Sequence, residues 1–372
     1  MNTRVILIRH GQSTYNAQGL YQGCSDDSVL TPKGRLDAYQ TGIVLSHYPL
    51  TALYSSPLRR TQETAQEILS AIASLTDRAP ILHLHPKLKE ISLPAWQGLP
   101  FKQVREQLAD DYRCWKERPH EFKMVQNSED ESAIATFASL EQSVTFPVQD
   151  LYEQARQFWQ AVLPHHVGET IAVVSHGGTI KALISTAIEM NCTHFHALQQ
   201  SNGGISALEF SPDRVQLTAM NITAHLGEVL PKLKDGKLGL RLILLPAQTT
   251  ALAPIQTRLD QLAIDFCIAS ETIQSQAVAE ALLRSRPQPI VHLPIADTNF
   301  LQTWHRTIHC QSQQCPNLCT GLVIAEAEQI QTLLQQVLGF PRSSAIALQG
   351  LSILYYPKAS PTPVLQSLNL LN

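Results

Sequence analysis

The feature that most constrains the fold is a regular alternation of apolar, β-rich runs with segments of helical spacing between residues 5 and 210. The runs "RVILIR" and "ETIAVVSH" predict strands, and "LRRTQETAQEILSAIASL" predicts a helix. Strands that alternate with helices form mainly parallel sheets covered by helices on both faces. The sequence therefore predicts an α/β three-layer sandwich, in which ligands bind beyond the carboxyl ends of the strands.

Length and composition narrow the function classes. The chain has 372 residues, more than one hydrophobic core usually serves, so two domains are expected. Hydrophobic residues make up 44%, charged residues 16%, and the net charge is -3, which indicates neither disorder nor a nucleic-acid partner. No apolar run approaches the roughly 18 residues of a membrane span, and no signal-peptide pattern opens the chain. We expect a cytoplasmic protein with no nucleic-acid or membrane partner.

Cysteine usage raises one metal hypothesis. The seven cysteines are scattered, which favours reduced thiols over a disulfide framework. The segment "WHRTIHCQSQQC" contains His305, His309, Cys310 and Cys315, and Cys319 follows it. The two histidines would share a helix face, but the cysteines lack the paired spacing of zinc modules. Ordinary packing or exposed thiols are favoured over a zinc site, and no metal or cofactor is predicted.

Two segments interrupt the alternation. Residues 102–131 contain 14 charged residues, which indicates either a solvated helix and loop or an insertion, spanning 100–150, that shapes the substrate pocket. The segment "EVLPKLKDGKLG" is rich in Lys, Gly and Pro, and the charge density falls beyond it. We therefore predict one domain over residues 1–230 and a second over 238–372.

Basic and imidazole side chains follow three predicted strands. Arg9 and His10 end the first strand, His176 ends a later one in "VVSHGG", and "SSPLRRTQETA" places Arg59 and Arg60 at the start of a helix. Arginine offers a planar fork of donors suited to phosphate, and helix N-termini favour anions. Because the strands are predicted to be parallel, these side chains are expected at one edge of the sheet, in a cationic pocket.

One acidic residue is a candidate for the same pocket. Glu90 lies in "KLKEISLPAWQGL", after another β-like run. A lone loop glutamate is most often only solvated. Beside two histidines and arginines, a carboxyl can protonate a departing alkoxide and then activate water.

These motifs together resemble one known family. "LIRHGQSTYN", "YQGCSDDSVLTPKGRLDA", "SSPLRRTQETA", "LKEISLPAWQG" and "SHGG" occur in the order found in the histidine phosphatase superfamily, the phosphoglycerate-mutase-like group, over about the first 225 residues. The resemblance implies a phosphoglycerate-mutase-like fold, with His10 as the nucleophile that becomes phosphohistidine and Glu90 as the proton donor. It implies a phosphate clamp made of Arg9, Arg59 and His176. It also implies substrate-side positions at Asn16, Gln22, Gly23 and Gly177.

The resemblance also implies a reaction. The acid loop "EISLPAWQGL" looks more like the phosphatase branch than the mutase branch, although Pro94 and Ala95 stand where Gly and an acid are common. The expected function is metal-independent hydrolysis of a small phosphorylated metabolite. Phosphoserine is favoured, followed by a sugar or sugar-acid phosphate such as 2-carboxy-D-arabinitol 1-phosphate. A phosphoglycerate mutase and a non-catalytic binding or regulatory protein are the alternatives, and a homodimer is a further expectation.

The last third of the chain resembles a degenerate copy of the first part. "RLILLPAQTT" compares with "RVILIRHGQST", and three later segments match in the same order. Aligned in this way, the equivalents of Arg9, His10, Arg59, His176 and, across an uncertain gap, Glu90 are Pro246, Ala247, Ile273, Glu326 and Asp297. We therefore expect residues 238–372 to form a smaller, catalytically inactive α/β copy that buttresses the first, completes an interface or binds a regulator.

Overall fold

A computed structural model describes most of the chain. The residues described are 2–126, 143–234, 238–284, 286, 290–295, 302, 304, 306, 308, 317–339, 345–358 and 362–370. The central part of the predicted insertion, Asp297 and four of the five candidate zinc ligands lie outside them. The fifth, Cys319, lies in the hydrophobic core with 7% of its surface exposed.

Fifteen strands occur among the described residues. They are β1 Thr3–Arg9, β2 Leu50–Ser55, β3 Ile81–Leu84, β4 Met124–Gln126, β5 Ser143–Thr145, β6 Thr170–Ser175, β7 Ile205–Phe210, β8 Val215–Ile222, β9 Gly239–Pro246, β10 Phe266–Ser270, β11 Val291–Ile295, β12 Leu318–Ala325, β13 Ala345–Ile346, β14 Ser352–Pro357 and β15 Val364–Ser367. The first sheet has the order β13-β8-β7-β1-β6-β2-β3, and β4 pairs separately with β5.

Helices cover both faces of this sheet. The α-helices of the described part are α1 Thr14–Gln18, α2 Pro32–Leu45, α3 Arg59–Leu75, α4 Phe101–Gln107, α5 Ala109–Glu117, α6 Pro147–Val162, α7 Gly177–Ala187, α8 Leu252–Leu259, α9 Ile273–Leu283 and α10 Ala327–Leu338. Side chains of β1 alternate between two cores: Ile6 and Ile8 pack with α2 and α3, whereas Val5 and Leu7 pack with α6 and α7. The predicted α/β three-layer sandwich is confirmed.

The carboxyl ends of three parallel strands meet at one edge of the first sheet. β6 lies between β1 and β2 and is parallel to both, with Arg9 opposite Ser175 and Ser55 opposite Val174. The residues that follow these strands, His10, His176 and Ser56, therefore reach the same edge.

The C-terminal region contains a second sheet with the same arrangement. Its order is β11-β10-β12-β9-β14-β15, and the corresponding strands of the first sheet have the order β3-β2-β6-β1-β7-β8. In both sheets the first four strands are parallel and the last two pair antiparallel. The second sheet therefore repeats the topology of the first.

The two halves of the chain are packed against each other. β13, from the C-terminal half, pairs in parallel with β8 of the first sheet. Isolated bridges join Leu198 to Leu365 and Met220 to Leu368, and buried side chains of both halves belong to one hydrophobic core. The boundary between residues 230 and 238 stays a prediction, but the regions on its two sides share buried apolar surface.

In the described residues, no helix is both long enough and apolar enough to cross a membrane.

Candidate active site

His10 stands immediately after β1, with 1% of its surface exposed. Its Nδ1 lies 2.7 Å from the carbonyl oxygen of Gly11. Because a carbonyl can only accept, Nδ1 must carry the proton and donate, which leaves the lone pair on Nε2. Burial, followed by the charges of Arg60 and Arg9, holds the pKa of His10 well below its usual 6.5. The imidazole is therefore neutral at pH 7, the form that can act as a nucleophile.

Two guanidinium groups flank His10, that of the half-buried Arg9 and that of the buried Arg60. Arg9 donates from Nη1 to the carbonyl of Gln200 at 3.0 Å, and burial lowers its pKa to about 10. Arg60 is fully buried and donates to the carbonyls of Ser25 and Gly23 at 2.7 and 2.9 Å. The Nε atoms of both arginines have no hydrogen-bond partner among the described residues. Both groups stay charged at pH 7 and retain donors for an anion.

The structure places Arg60 in the pocket and Arg59 outside it. The Arg59 side chain is 62% exposed, and its Nε donates to Glu63 at 3.1 Å. Consecutive helical residues point about 100° apart, so only one residue of the pair can face the sheet edge. The sequence prediction named the wrong arginine for the pocket. The signal that identifies the right one is the i, i+4 spacing from Arg60 through Thr64 to Ile68, all buried.

His176 follows β6 and is fully buried. Its ring centroid lies 5.3 Å from that of His10, and its Nε2 lies 2.8 Å from Oγ of Ser56. Burial, then the charges of Arg60, His10 and Arg9, hold its pKa well below the usual value. The structure thus brings the two predicted histidines together and adds Ser56, which the sequence analysis did not single out.

Glu90 is held by the first turn of α7. Its Oε2 accepts from the backbone N–H of Gly178 and its Oε1 from that of Thr179, both at 3.1 Å, and Ile91 N–H donates to Oε1 at 2.9 Å. A helix N-terminus offers unpaired N–H groups that favour a carboxylate. A Cβ at Gly178 would lie 2.5 Å from Oε1. The acid is therefore fixed in the pocket by contacts that require glycine at this position.

Asn16 and Gln22 lie on the wall of the inner cavity beside His10. Asn16 Oδ1 accepts from Nδ2 of Asn202 at 2.9 Å, and Gln22 Oε1 accepts from the Ser13 hydroxyl at 2.8 Å. Asn202 also donates to the carbonyl of His10 at 3.0 Å. Sequence reasoning missed Asn202, because an asparagine before two glycines is typical of an ordinary turn.

The two predicted glycines have backbone roles at the site. Gly23 has φ +52° and offers its carbonyl to Arg60, so it positions the buried guanidinium. Gly177 lies against Arg9, where a Cβ would approach Nε to 3.2 Å. Gly23 therefore positions Arg60, and the missing side chain of Gly177 leaves room for Arg9.

Two adjoining cavities open at this edge. The inner one has a volume of about 170 Å³ and is lined by groups that include His10, Arg60, Glu90 and Arg9. The outer one has a volume of about 610 Å³ and shares Arg9, Glu90 and Lys181 with the inner one. A neutral imidazole, two guanidinium groups and a carboxyl in one small cavity are suited to binding and transferring a phosphoryl group. Across the described ranges, no cluster of three or more His, Cys, Asp or Glu residues is arranged to hold a metal ion.

The equivalent edge of the second sheet has different residues. Pro246 and Ala247 follow the path taken by Arg9 and His10 in the first sheet, and Pro246 pairs with Ala325 as Arg9 pairs with Ser175. Glu326, at the end of β12, accepts from the Thr272 hydroxyl at 3.0 Å and from the side-chain amide of Gln248. The carboxylate in the place of His176 is therefore engaged by neighbouring side chains.

Comparison with known proteins identifies a family for the N-terminal part of the chain. The model of a family described as "Histidine phosphatase superfamily (branch 1)" matches residues 5–223. A protein of Arabidopsis thaliana named "Probable 2-carboxy-D-arabinitol-1-phosphatase" is 34% identical over 209 residues, which cover 56% of this chain and 38% of that protein. The 2-carboxy-D-arabinitol-1-phosphatase of Triticum aestivum is 29% identical over 297 residues, 78% of this chain and 55% of the wheat protein.

A bacterial protein matches over nearly its whole length. Phosphoserine phosphatase 1 of Hydrogenobacter thermophilus is 28% identical over 225 residues, 60% of this chain and 95% of the bacterial protein. In contrast, this chain spans little more than half of the wheat protein and less than half of the Arabidopsis protein. The wheat match is too long to lie within residues 5–223, so it includes part of the C-terminal half.

Proposed function

The chain belongs to the histidine phosphatase superfamily, and on that premise we propose that it hydrolyses a phosphomonoester through a phosphohistidine at His10. The observation that carries the proposal is the neutral imidazole of His10, whose Nδ1 is held by Gly11 while two guanidinium groups flank the ring. A nucleophile must keep its lone pair at neutral pH, and a phosphoryl group in transfer needs cations around its oxygens.

In the first step, Nε2 of His10 attacks phosphorus and the bond between phosphorus and the substrate oxygen breaks. Glu90, in its protonated form, gives its proton to the leaving oxygen, so the product departs as an alcohol. Arg9 and Arg60 bind the equatorial oxygens of the phosphoryl group, and His176, beside His10, adds a further donor. The negative charge that spreads over these oxygens is stabilised most in the transition state.

In the second step, water attacks the phosphohistidine. The Glu90 carboxylate takes one proton from the water, the bond between phosphorus and Nε2 breaks, and inorganic phosphate leaves. The backbone N–H groups of Gly178 and Thr179 hold this carboxylate in one position for both steps. Forming the covalent intermediate divides a difficult hydrolysis into two displacements. No step draws on a metal ion.

The identity of the metabolite is a separate proposal. Sequence reasoning favours phosphoserine, which carries an ammonium group and needs an acidic partner. Within the described lining of the two cavities, Glu90 is the only carboxylate, whereas several lysines line the outer cavity. This charge favours the sugar-acid phosphate over phosphoserine, and the similarity of this chain to the two plant proteins over part of their length supports the same order.

Three further proposals concern the whole chain. We infer that residues 238–372 are a degenerate, inactive duplicate, which is supported by the repeated strand order and by the loss of every equivalent of Arg9, His10 and His176. A cytoplasmic location and a homodimer stay predictions. Phosphoglycerate mutase activity stays an alternative, and it would appear as transfer of the phosphoryl group to a second sugar-acid oxygen in place of water.

The test is hydrolysis by the purified full-length protein. We expect release of phosphate from a panel of phosphoserine, phosphoglycerates and sugar-acid phosphates in the presence of EDTA. We expect His10→Ala to lower kcat by on the order of 10³-fold or more. His47→Ala, at an exposed histidine outside both cavities, is the matched control. Quenched reactions should contain an acid-labile, base-stable phosphate on His10. Full turnover by His10→Ala would refute the mechanism.

A further inference from the structure

A cleft of about 780 Å³ lies between the first sheet and the C-terminal half of the chain. Its floor is formed by β1, β7 and β8, on the face of the sheet where α2 packs, and the C-terminal half contributes residues of α8 and residues that follow β13 and β15. Among the described lining residues, none also lines the inner or the outer cavity. This cleft between the halves is therefore separate from the site around His10, and junctions of this kind are common places for small-molecule sites.

Strand register arranges the floor of the cleft in three rows. The rows are Arg4, Glu209 and Gln216 at one end, Ile6, Ala207 and Ala219 in the middle, and Ile205 with Ile222 at the other end. The two alanines of the middle row leave room above the sheet, because neither has a side chain beyond Cβ. Four residue steps along a strand span about 13 Å. The floor therefore changes from polar to apolar over the length of a small organic molecule.

Apolar side chains from both halves stand beside this floor. Val44 and Leu45, at the end of α2, come from the first half, and Ala347 and Leu370 come from the C-terminal half. Because α2 packs over β1 whereas β13 pairs with β8, these groups flank the floor from two sides. An apolar body bound between them would remove apolar surface of both halves from water, which is favourable.

The charges in the cleft favour an anion. Its lining, as far as the structure describes it, contains three arginines and a single carboxylate. Arg4 and Glu209 pair with each other, with 2.6 Å between Nη2 and Oε1. Neither Arg214 nor Arg258 forms an ion pair with a described residue. Burial lowers the pKa of His225 to about 4, so this lining residue adds no charge. Two positive charges therefore remain without a carboxylate partner.

Arg258 is the better placed of these two arginines to bind an anion. Its side chain is partly buried, whereas Arg214 is exposed, and water weakens the attraction of an exposed charge. Nη1 of Arg258 donates to the carbonyl of Val229 at 2.8 Å, which holds the guanidinium in place. This is the one hydrogen bond of that side chain within the described ranges, so other N–H groups remain available. Burial lowers the pKa of Arg258, and an anion would compensate that desolvation.

We propose that the cleft between the halves is a binding site for an amphipathic organic anion, a small molecule with an aromatic or aliphatic body and one anionic group. The apolar body lies over Ala207 and Ala219, and the anionic group lies against Arg258. The site goes beyond the proposed hydrolysis at His10, because its residues take no part in that reaction. Since both halves line the cleft, the C-terminal half has a binding role that requires no catalytic group.

The experiment is a fluorescence titration of the full-length protein with two dyes that share one aromatic body. The dyes are 8-anilinonaphthalene-1-sulfonate and N-phenyl-1-naphthylamine, which lacks the sulfonate. We expect one site per chain for the sulfonate dye. We expect this dye to bind about tenfold more tightly than the uncharged one, because only the sulfonate forms a charged hydrogen bond with Arg258.

Two variants with matched controls locate the dyes. Ala219→Leu fills the middle row of the floor and should weaken the binding of both dyes at least about tenfold, because it takes up their space. Ala281→Leu makes the same change at an exposed position of α9 and should leave binding unchanged. Arg258→Gln should weaken only the sulfonate dye, about threefold to tenfold. Arg284→Gln, at an exposed arginine of the same half, should weaken neither dye.

Thermal unfolding shows whether each variant is folded, and Arg258→Gln, which leaves the floor intact, decides alone if Ala219→Leu is not. Wild-type protein that binds neither dye, or a folded Ala219→Leu that binds both as the wild type does, would overturn the site. Equal affinities of the two dyes, or equal weakening of both by Arg258→Gln, would overturn the placement of the anion. His10→Ala should bind both dyes as the wild type does, so these outcomes are independent of the phosphatase function.

Discussion

The Glu90 carboxylate accepts a hydrogen bond from the backbone N–H of Gly178, with 3.1 Å between Oε2 and the nitrogen. The acid on one loop is thereby joined to the first turn of the helix that follows the second histidine. The position of the Glu90 carboxylate and the first turn of α7 depend on each other. Any side chain at residue 178 would occupy the space of the carboxylate.

Gly178→Ala should therefore displace the acid without disturbing the nucleophile. The added Cβ would lie 2.5 Å from Glu90 Oε1, so the carboxyl must move. We expect kcat to fall about tenfold to 100-fold, since small misplacements of a catalytic group are costly. Steady-state kinetics, with thermal unfolding as the control for folding, measure this. An unchanged kcat in a folded variant would show that Glu90 does not need this contact.

Arg60 and Arg59 form a matched pair for testing the clamp. Arg60→Gln should lower kcat/KM at least about 100-fold, because a buried cation that faces developing charge is lost. Arg59→Gln removes the same charge from the adjacent residue, whose side chain is 62% exposed, and should change kcat/KM by less than about threefold. Arg60→Lys keeps the positive charge but removes the planar fork of donors, so it tests the two contributions separately. A larger loss of kcat/KM in Arg59→Gln than in Arg60→Gln would show instead that Arg59 belongs to the phosphate clamp.

The buried histidines make stability depend on pH in a defined direction. The pKa values of His10, His176 and His196 lie well below 6.5 in the folded protein, so between these values and 6.5 the unfolded chain binds more protons. The free energy of unfolding should therefore decrease as the pH falls below about 6.5, by about 1.4 kcal/mol per pH unit for each such histidine. It should be fully regained above that pH.

Urea unfolding between pH 5 and 8 measures this slope. His10→Ala should reduce this slope by one histidine's contribution. A slope that is unchanged in His10→Ala would mean that the pKa of His10 is not lowered in the folded protein.

Leu365→Ala tests whether the last strand supports the catalytic edge. Leu365 is fully buried, and its carbonyl accepts from Gln199, next to the residue whose carbonyl holds Arg9. Truncation should cost about 2 to 5 kcal/mol of stability and raise KM, because the loop that orients Arg9 loses its packing.

Leu245→Ala is the control, since this leucine is equally buried but belongs to the separate core of the second sheet. It should cost similar stability and leave KM unchanged at a temperature where both variants are folded. Equal KM values for both variants would mean that the last strand contributes only to stability.

The sequence predicts the fold and most of the site for physical reasons. Buried parallel strands read as continuous apolar runs, so β1 and β6 and the residues that follow them, His10 and His176, could be located directly. Glu90 also follows a β-like run, which made it a candidate for the same pocket, and the resemblance to a family implied its role as the proton donor. Nothing in its local pattern distinguishes it from a solvated glutamate.

The features that were missed depend on the direction in which a side chain points or on contacts between residues that are far apart in the sequence. Arg59 and Arg60 are adjacent, and only the rotation of α3 decides which one is buried. Asn202 reaches His10 through a turn that lies 192 residues further along the chain. The outer cavity combines Lys102 with Lys234 and Val364, residues from distant parts of the chain.

The short strand β13 has a consequence for solubility. Its parallel pairing covers Gln216 and Leu217 of β8, and the bridge from Leu368 covers Met220 further along the same strand. An uncovered edge strand offers unpaired N–H and C=O groups to other copies of the chain and so promotes aggregation. The C-terminal half therefore shields this edge of the first sheet from intermolecular strand pairing.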